Sequence, residues 1–197
     1  MDDTKQQVPV SRPSLDIIEK ELARLKHKKS FSKAIVDTLA ALIVIAALAV
    51  LLSTMLVPVF RIYGGSMAPT LNEGEIIFSV KTNNIKSGDI IAFYYNNKVL
   101  MKRVIAKAGD WVELTEDNKV KVNDVVIEEP YAIGDNLAVT DIPMPYQVPD
   151  GRWFVMGDQR DISVDSRSTM VGPISHEQVI GKVTFKIWPL NSFGAVQ

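Results

Sequence analysis

The most constraining feature of this sequence is an uncharged apolar run over residues 38–60, which is 23 residues long and rich in Ala, Leu, Ile and Val. As an α-helix it would span about 35 Å, enough to cross a bilayer core of about 30 Å. A cleaved leader would have an apolar region of only about 7–15 residues followed by a small-residue cleavage site, and neither is evident here. We therefore predict an uncleaved transmembrane signal anchor over residues 34–60.

Charged residues flank this run unequally. Residues 1–33 hold eight Lys/Arg and five Asp/Glu, a net charge of +3, whereas residues 61–197 hold 14 and 17, a net charge of −3. The positive-inside rule predicts a cytoplasmic basic tail over residues 1–33 and an extracytoplasmic domain over residues 61–197 of a single-pass cell-membrane protein. Beside a bilayer the basic cluster is interpreted as a topology signal, so we expect no nucleic-acid partner.

Short runs rich in β-branched and aromatic residues dominate the part after the anchor. The predicted strands cover residues 75–80, 88–95, 99–107, 111–115, 119–122, 125–127, 153–156 and 179–188. Turns are predicted at Asn96-Asn97, Asp117-Asn118 and Asn123-Asp124. The fold class predicted is mainly β: an antiparallel sheet or partly open barrel with one N-terminal transmembrane helix.

Three further elements are predicted outside these strands. Residues 14–29 have apolar residues at helical spacing and are predicted to form a short helix in the tail. Residues 128–151 hold four of the ten prolines and are predicted to form a long excursion. Ser175 and Gln178 have the spacing of a capping box on one helical turn.

A serine follows the apolar run in a tightly constrained segment, GGSMAPTL, over residues 64–71. Gly64 and Gly65 permit an unusual backbone and close approach of another chain, and Pro69 fixes its own φ. Ser66 is therefore a candidate nucleophile at the mouth of the membrane segment. A plain juxtamembrane turn is the alternative interpretation, because Gly, Ser and Pro are common in turns.

The rest of the composition limits what could activate that serine. The chain has no cysteine and two histidines, His27 and His176. His27 lies in the tail, across the membrane from Ser66 in the predicted topology, and His176 is interpreted as a surface residue at a helix start. We therefore expect a base other than histidine, and neither a metal site nor another cofactor.

Lys102 is the candidate base. Strand alternation puts Leu100, Lys102 and Val104 on one face of the predicted strand over residues 99–107, and Arg103 on the other. A lysine between two apolar neighbours can be desolvated, which favours its neutral form. The alternative is an edge-strand lysine whose ammonium reaches out to water.

A polar loop follows the predicted strand over residues 153–156. It reads GDQRDISVDSR over residues 157–167 and alternates carboxylates with guanidiniums. Bidentate pairs between them would hold the loop rigid, so that Ser163 could orient a lysine amine. A solvated charged loop is the alternative interpretation.

Together these stretches make the chain resemble bacterial type I signal peptidases, in the shorter branch with a single anchor. The resemblance covers about residues 34–190 and depends on four motifs in order behind the anchor. They are GGSMAPTL at 64–71, GDIIAF at 88–93, KRVI at 102–105 trailed by GD at 109–110, and GDQRDISVDSR at 157–167, with Gly172-Pro173 and Gly181-Lys182 beyond them.

The resemblance implies a membrane-bound serine endopeptidase that removes signal peptides from secreted preproteins, cutting after small residues. Ser66 would be the nucleophile, Lys102 the neutral general base and Ser163 a hydrogen-bonding partner that orients Lys102. The Ser66 N–H would donate to the oxyanion, and Gly64 and Met67 would lie near the substrate. The residues that would maintain the site are Asp158, Arg160, Asp165 and Arg167. Implied partners are preprotein signal peptides, the lipid bilayer and the secretion machinery.

The chain departs from the family pattern at three places, none of which removes a catalytic residue. Gly64 stands where some members have a hydroxyl that completes the oxyanion hole. Gln159 replaces the usual Asn, and residues 106–108 read AKA instead of Gly-x-Pro.

Two other functions are compatible with parts of the sequence. One is a self-cleaving Ser-Lys repressor-type protease, against which the anchor argues. The other is a membrane-tethered β-domain that binds partners without catalysis.

Overall fold

The computed structural model describes residues 14–56, 58–117, 119–134 and 140–196, and for residues 27–30 and 52–56 it describes the backbone alone. Residues 1–13 of the predicted tail and Asn118 of one predicted turn lie outside the described residues. The chain divides into two compact units, Met1–Leu52 and Ser53–Gln197.

One long helix, α1 (Leu15–Leu56), has 42 residues and supplies all the described residues of the first unit from Leu15 onwards. The helix predicted over residues 14–29 is present from Leu15, but its predicted end is wrong. The helix continues because no Gly or Pro between residues 30 and 37 interrupts the helical backbone. The helix ends at Leu56 and does not extend to residue 60. Among the described residues, one helical segment is long and apolar enough to cross a membrane, and it is Leu15–Leu51 of α1.

The second unit holds two antiparallel sheets. The strands are β1 (Val59–Arg61), β2 (Ile76–Val80), β3 (Ile90–Tyr95), β4 (Lys98–Lys107), β5 (Trp111–Leu114), β6 (Val120–Val122), β7 (Val125–Val126), β8 (Tyr146–Gln147), β9 (Arg152–Met156), β10 (Ile174–Ser175), β11 (Val179–Trp188) and β12 (Gly194–Ala195). The larger sheet has the order β1-β2-β11-β3-β4-β9-β10, with β12 on β11, and the smaller has the order β7-β6-β5-β8. Both sheets are open, which confirms the predicted mainly β, antiparallel class.

Each of the eight predicted runs overlaps a strand, with ends that agree within two residues. The short strands β1, β8, β10 and β12 were not predicted. β1 begins inside the predicted anchor, β8 lies in the predicted excursion, and β10 and β12 are two residues long. Asn96 and Asn97 form the β3–β4 turn with φ of 43° and 61°, the left-handed pair that a tight hairpin requires. The Ser175 N–H donates to Gln178 Oε1 at 2.9 Å at the start of a one-turn helix, as the capping-box spacing predicts.

The core of this unit fixes the segment that carries Ser66. Met67 and Leu71 are buried and pack with Ile62 and Ile77, and with further apolar residues of β3 and β11. On β4, Leu100 and Val104 pack in a second cluster with β9 and β10. The serine segment and the centre of β4 are therefore both anchored by buried side chains.

Candidate active site

Ser66 lies in a compact set of turns after β1. Gly64 has a φ of +80°, a conformation that favours glycine, so the predicted unusual backbone is present. The Leu71 N–H donates to the Met67 carbonyl at 2.8 Å and the Ala68 N–H to the Gly65 carbonyl at 3.0 Å. These two bonds fix the backbone on both sides of the Ser66 hydroxyl.

The Lys102 Nζ lies 2.6 Å from the Ser66 Oγ, a hydrogen bond between residues 36 positions apart. Lys102 is on β4 opposite Ile91 and is 3% exposed. Burial lowers the pKa of its amine from 10.5 to about 8; the Asp165 and Asp158 carboxylates oppose this change, and the Arg167 charge adds to it. At neutral pH a minor fraction of the amine is therefore unprotonated, more than for a lysine in water.

Ser163, Asp165 and Arg167 form a buried group at the end of the loop. The Ser163 Oγ donates to Asp165 Oδ2 at 2.6 Å, and the Gly157 N–H donates to the same oxygen at 2.9 Å. Arg167 binds Asp165 through Nε at 2.8 Å and Nη2 at 2.9 Å. Burial raises the pKa of the Asp165 carboxyl, but these bonds and the Arg167 charge outweigh it and hold that pKa below its usual range.

The predicted hydrogen bond from Ser163 to Lys102 is not present among the described residues. The Ser163 hydroxyl has a stronger acceptor, because an ionised carboxylate attracts a donor more than an amine does. Ser163 is instead tied to Asp165, whose negative charge acts on Lys102.

Asp158 pairs outside the loop, with the neighbour of Lys102. Arg103 donates to Asp158 through Nε at 2.9 Å and Nη2 at 2.7 Å, and both side chains are buried. The Thr70 hydroxyl donates to the same carboxylate at 2.5 Å. Asp158 thus joins β4 to the segment that follows Ser66.

Arg160 also pairs outside the loop. It donates to Glu129 through Nη1 at 3.0 Å and Nη2 at 2.7 Å, and its Nε donates to the Gly157 carbonyl at 2.9 Å. The predicted pairing of carboxylates and guanidiniums within the loop is therefore right only for Asp165 and Arg167.

Four residues of the site were not identified from sequence: Thr70, Arg103, Glu129 and Tyr131. Arg103 and Thr70 lie inside recognised motifs, yet nothing in their spacing shows that they meet at Asp158. Glu129 and Tyr131 lie in the proline-rich excursion, where no periodicity assigns a direction to side chains. One signal could have pointed to Glu129, because a buried Arg160 needs a carboxylate partner.

Gly157 brings the loop against the nucleophile. A Cβ built on it would lie 2.5 Å from the Ser66 carbonyl oxygen and would overlap the Ser163 Oγ. The Gln159 N–H donates to that same Ser66 carbonyl at 3.1 Å. The loop therefore approaches Ser66 as closely as a backbone without a side chain allows.

A small cavity of about 70 Å³ opens beside Ser66. The residues that line it are Arg61, Ile62, Tyr63, Gly64, Ser66, Met67, Val99, Leu100 and Met101. Gly64 and Met67, which the resemblance places near a substrate, both border this cavity. A larger depression of about 710 Å³ is lined by neither Ser66 nor Lys102. In the described part of the chain, no group of three or more acidic, His or Cys residues could hold a metal ion.

Known proteins resemble this chain over most of its length. Residues 35–188 match the family model described as signal peptidase, peptidase S26. The signal peptidase I of Bacillus amyloliquefaciens is 34% identical over 177 residues, which cover 84% of this chain and 95% of the relative. The signal peptidase IB of Staphylococcus aureus (strain COL) is 32% identical over 181 residues, which cover 82% and 93%. A crystal structure of a signal peptidase I from Enterococcus faecalis V583 is 29% identical with a TM-score of 0.45, and the match covers 53% of this chain and 100% of that one.

Proposed function

The chain belongs to the signal peptidases of family S26, and on that premise we propose that Ser66 is its nucleophile and Lys102 its general base. Membership makes the protein a serine endopeptidase that removes N-terminal signal peptides. The observation that carries the proposed dyad is the 2.6 Å hydrogen bond between Lys102 Nζ and Ser66 Oγ, with the amine buried.

The proposed reaction begins with Lys102 neutral. Its amine takes the Ser66 proton while Ser66 Oγ attacks the scissile carbonyl carbon, giving a tetrahedral oxyanion. The resulting ammonium then gives that proton to the leaving amine as the peptide C–N bond breaks. The neutral amine next takes a proton from water, which attacks the ester carbonyl. Collapse of the second tetrahedral intermediate returns the proton to Ser66 Oγ and releases the signal peptide.

The Ser66 N–H is the proposed oxyanion donor. Within the described residues it has no hydrogen-bond partner, so it is free to donate to a developing negative charge. Removing one such donor from a comparable site costs about 3–4 kcal/mol of transition-state stabilisation. Gly64 has no hydroxyl, so a second donor there would have to be a backbone N–H.

The other predicted site residues support Ser66 and Lys102 without touching the reacting atoms. Asp165 is fixed by Arg167, Ser163 and Gly157, and its negative charge raises the Lys102 pKa against the effect of burial. We propose that this balance keeps the amine pKa near 8, where it can both accept and return a proton.

The cavity beside Ser66 supports a preference for small side chains. Its volume of about 70 Å³ has room for a side chain the size of alanine. We propose small residues at the first and third positions before the cut. Equal cleavage of synthetic peptides with large aromatic residues at those positions would contradict this specificity.

The membrane arrangement is also a proposal. Helix α1 fits membrane anchoring by its length and composition, and the charge asymmetry supports a cytoplasmic tail over residues 1–33, an anchor over 34–60 and an extracytoplasmic catalytic domain over 61–197. Because its substrates are preproteins, we propose that the enzyme contacts the secretion machinery. External protease added to spheroplasts should digest the catalytic domain, and its protection would overturn the topology.

The dyad is tested with the full chain in detergent and a synthetic preprotein peptide. Ser66→Ala and Lys102→Ala should each abolish cleavage while thermal unfolding remains cooperative. Full turnover by either folded variant would move the nucleophile or the base elsewhere. Loss of cleavage in both variants would also argue against a binding domain without catalysis.

A further inference from the structure

Residues 129–133 of the long excursion lie against the ion pairs of the site, and we call this segment the strap. The Ile133 N–H donates to the Asp158 carbonyl at 2.9 Å, and the Arg160 N–H donates to the Ile133 carbonyl at 2.8 Å. Gln159 lies between Asp158 and Arg160, and its N–H points away from the strap and donates to the Ser66 carbonyl at 3.1 Å. One loop residue is thus held by the strap on one side and by the nucleophile's backbone on the other.

The side chain of Glu129 extends this contact towards Gly157. It accepts two hydrogen bonds from Arg160, at 3.0 and 2.7 Å, and the two side chains are 10% and 3% exposed. The third bond of Arg160 goes from its Nε to the Gly157 carbonyl at 2.9 Å. Gly157 in turn packs against the Ser66 carbonyl with no space for a side chain. Three contacts therefore lead from Glu129 to the residue that bears the nucleophile.

Tyr131 links the same carboxylate to strand β4. Its hydroxyl donates to Glu129 Oε1 at 3.2 Å, and its ring centroid lies 3.9 Å from the Cζ of Arg103. Burial and the neighbouring Glu129 charge raise the Tyr131 pKa, so the hydroxyl keeps the proton that it donates. Because Arg103 follows Lys102 directly, the strap contacts the strand that carries Lys102. It also contacts the loop whose Gln159 N–H binds the Ser66 carbonyl.

We propose that Glu129 is a positioning residue, which sets the distance between Ser66 and Lys102 through Arg160 and Gly157. This inference rests on the Ser-Lys mechanism proposed above. The neighbouring charges that act on the Lys102 pKa are those of Asp165, Arg167 and Asp158. Glu129 reaches Ser66 through contacts by way of Arg160 and Gly157, so its loss should slow the chemical step without moving the pH at which the base titrates.

The experiment compares Glu129→Gln with Glu128→Gln in the full-chain enzyme. The two substitutions remove the same charge from adjacent residues, but Glu128 is exposed. We measure kcat, KM and the pH dependence of kcat/KM on a preprotein peptide, well below the melting temperature of each variant. Glu129→Gln should lower kcat about 10- to 100-fold, since displacement by about 1 Å can cost about 100-fold. Its KM should stay within about twofold and the acid limb should keep its midpoint, because ground-state binding and the base are unchanged.

Three results would overturn the proposal: a kcat like that of Glu128→Gln, a rise in KM alone, or a shifted acid limb. A loss explained entirely by a smaller folded fraction would also overturn it, so activity is expressed per folded molecule. If Glu129→Gln does not fold, Tyr131→Phe tests the positioning role instead, because it removes only the hydroxyl that donates to Glu129. It should lower kcat about two- to fivefold and leave KM unchanged. Wild type and Ser66→Ala are run alongside. An inactive wild type or an active Ser66→Ala would refute the proposed function and the positioning role with it, whereas the results above would refute the positioning role alone.

Discussion

Replacing Lys102 by methionine should stabilise the catalytic unit at neutral pH while abolishing its activity. Burial lowers the pKa of the wild-type amine from 10.5 to about 8, so the folded state holds its charged form less favourably than the unfolded chain does. At about 1.4 kcal/mol per pKa unit, the difference corresponds to about 3 kcal/mol below pH 8. Methionine is flexible enough to fill the same space. Loss of the hydrogen bond to Ser66 costs about 1 kcal/mol, which leaves a gain of about 2 kcal/mol.

The gain should depend on pH in a defined direction. Below pH 8 both states of the wild type carry the Lys102 proton, and the full cost of burying the charge is present. Between pH 8 and 10.5 the folded state has lost this proton while the unfolded chain still binds it, so wild-type stability rises relative to the variant. Above pH 10.5 both states are neutral and the advantage of Lys102→Met should have disappeared.

The assay is urea unfolding of the detergent-solubilised full chain, followed by tryptophan fluorescence. The three tryptophans, at positions 111, 153 and 188, all lie in the unit Ser53–Gln197, so the signal reports on that unit. Lys107→Met, at an exposed position on the same strand, is the matched control and should change stability by less than about 0.5 kcal/mol. Equal or lower stability of Lys102→Met at pH 7, or a gain that persists unchanged to pH 10.5, would refute the argument.

Three further outcomes are expected. The value of kcat/KM should rise about tenfold per pH unit up to about pH 8, as the Lys102 amine with its lowered pKa loses its proton, and His176→Ala should leave this profile unchanged; loss of the acid limb in folded His176→Ala would identify another base. Lys102→Arg should be inactive in the peptide assay, because a guanidinium stays protonated, and measurable turnover would argue against proton transfer at this position. Gly157→Ala should lower kcat about 100-fold, since its methyl group would meet the Ser66 carbonyl oxygen 2.5 Å away, and near-normal turnover would show that the loop can move without consequence.

The sequence predicted those parts of the site that depend on local patterns. Alternation along one strand separated Lys102 from Arg103, and two glycines marked the unusual backbone before Ser66. The motif resemblance led to Ser163 and to the charged residues of the loop. The first two inferences need only neighbouring residue types, whereas the third needs the order of the motifs along the chain.

The ion-pair partners could not be predicted, because they depend on how distant segments meet. Charges that alternate along a loop suggest local pairs, and Asp165 with Arg167 is one. Asp158 and Arg160 instead reach 55 residues back to Arg103 and 31 residues back to Glu129. The continuity of α1 was missed for a related reason: a change in composition at residue 34 looked like a boundary, although the backbone can remain helical across it.

Strand β4 places two basic side chains with opposite requirements next to each other. In the proposed mechanism Lys102 must lose its charge beside Ser66, whereas Arg103 forms an ion pair with Asp158. A one-residue slip of β4 along β3 would exchange them, putting a permanent cation at the serine and a weaker partner at the aspartate. The two-asparagine turn that joins these strands fixes their register. It therefore disfavours a misfolded form that would keep most of its strand pairing but lack the proposed base.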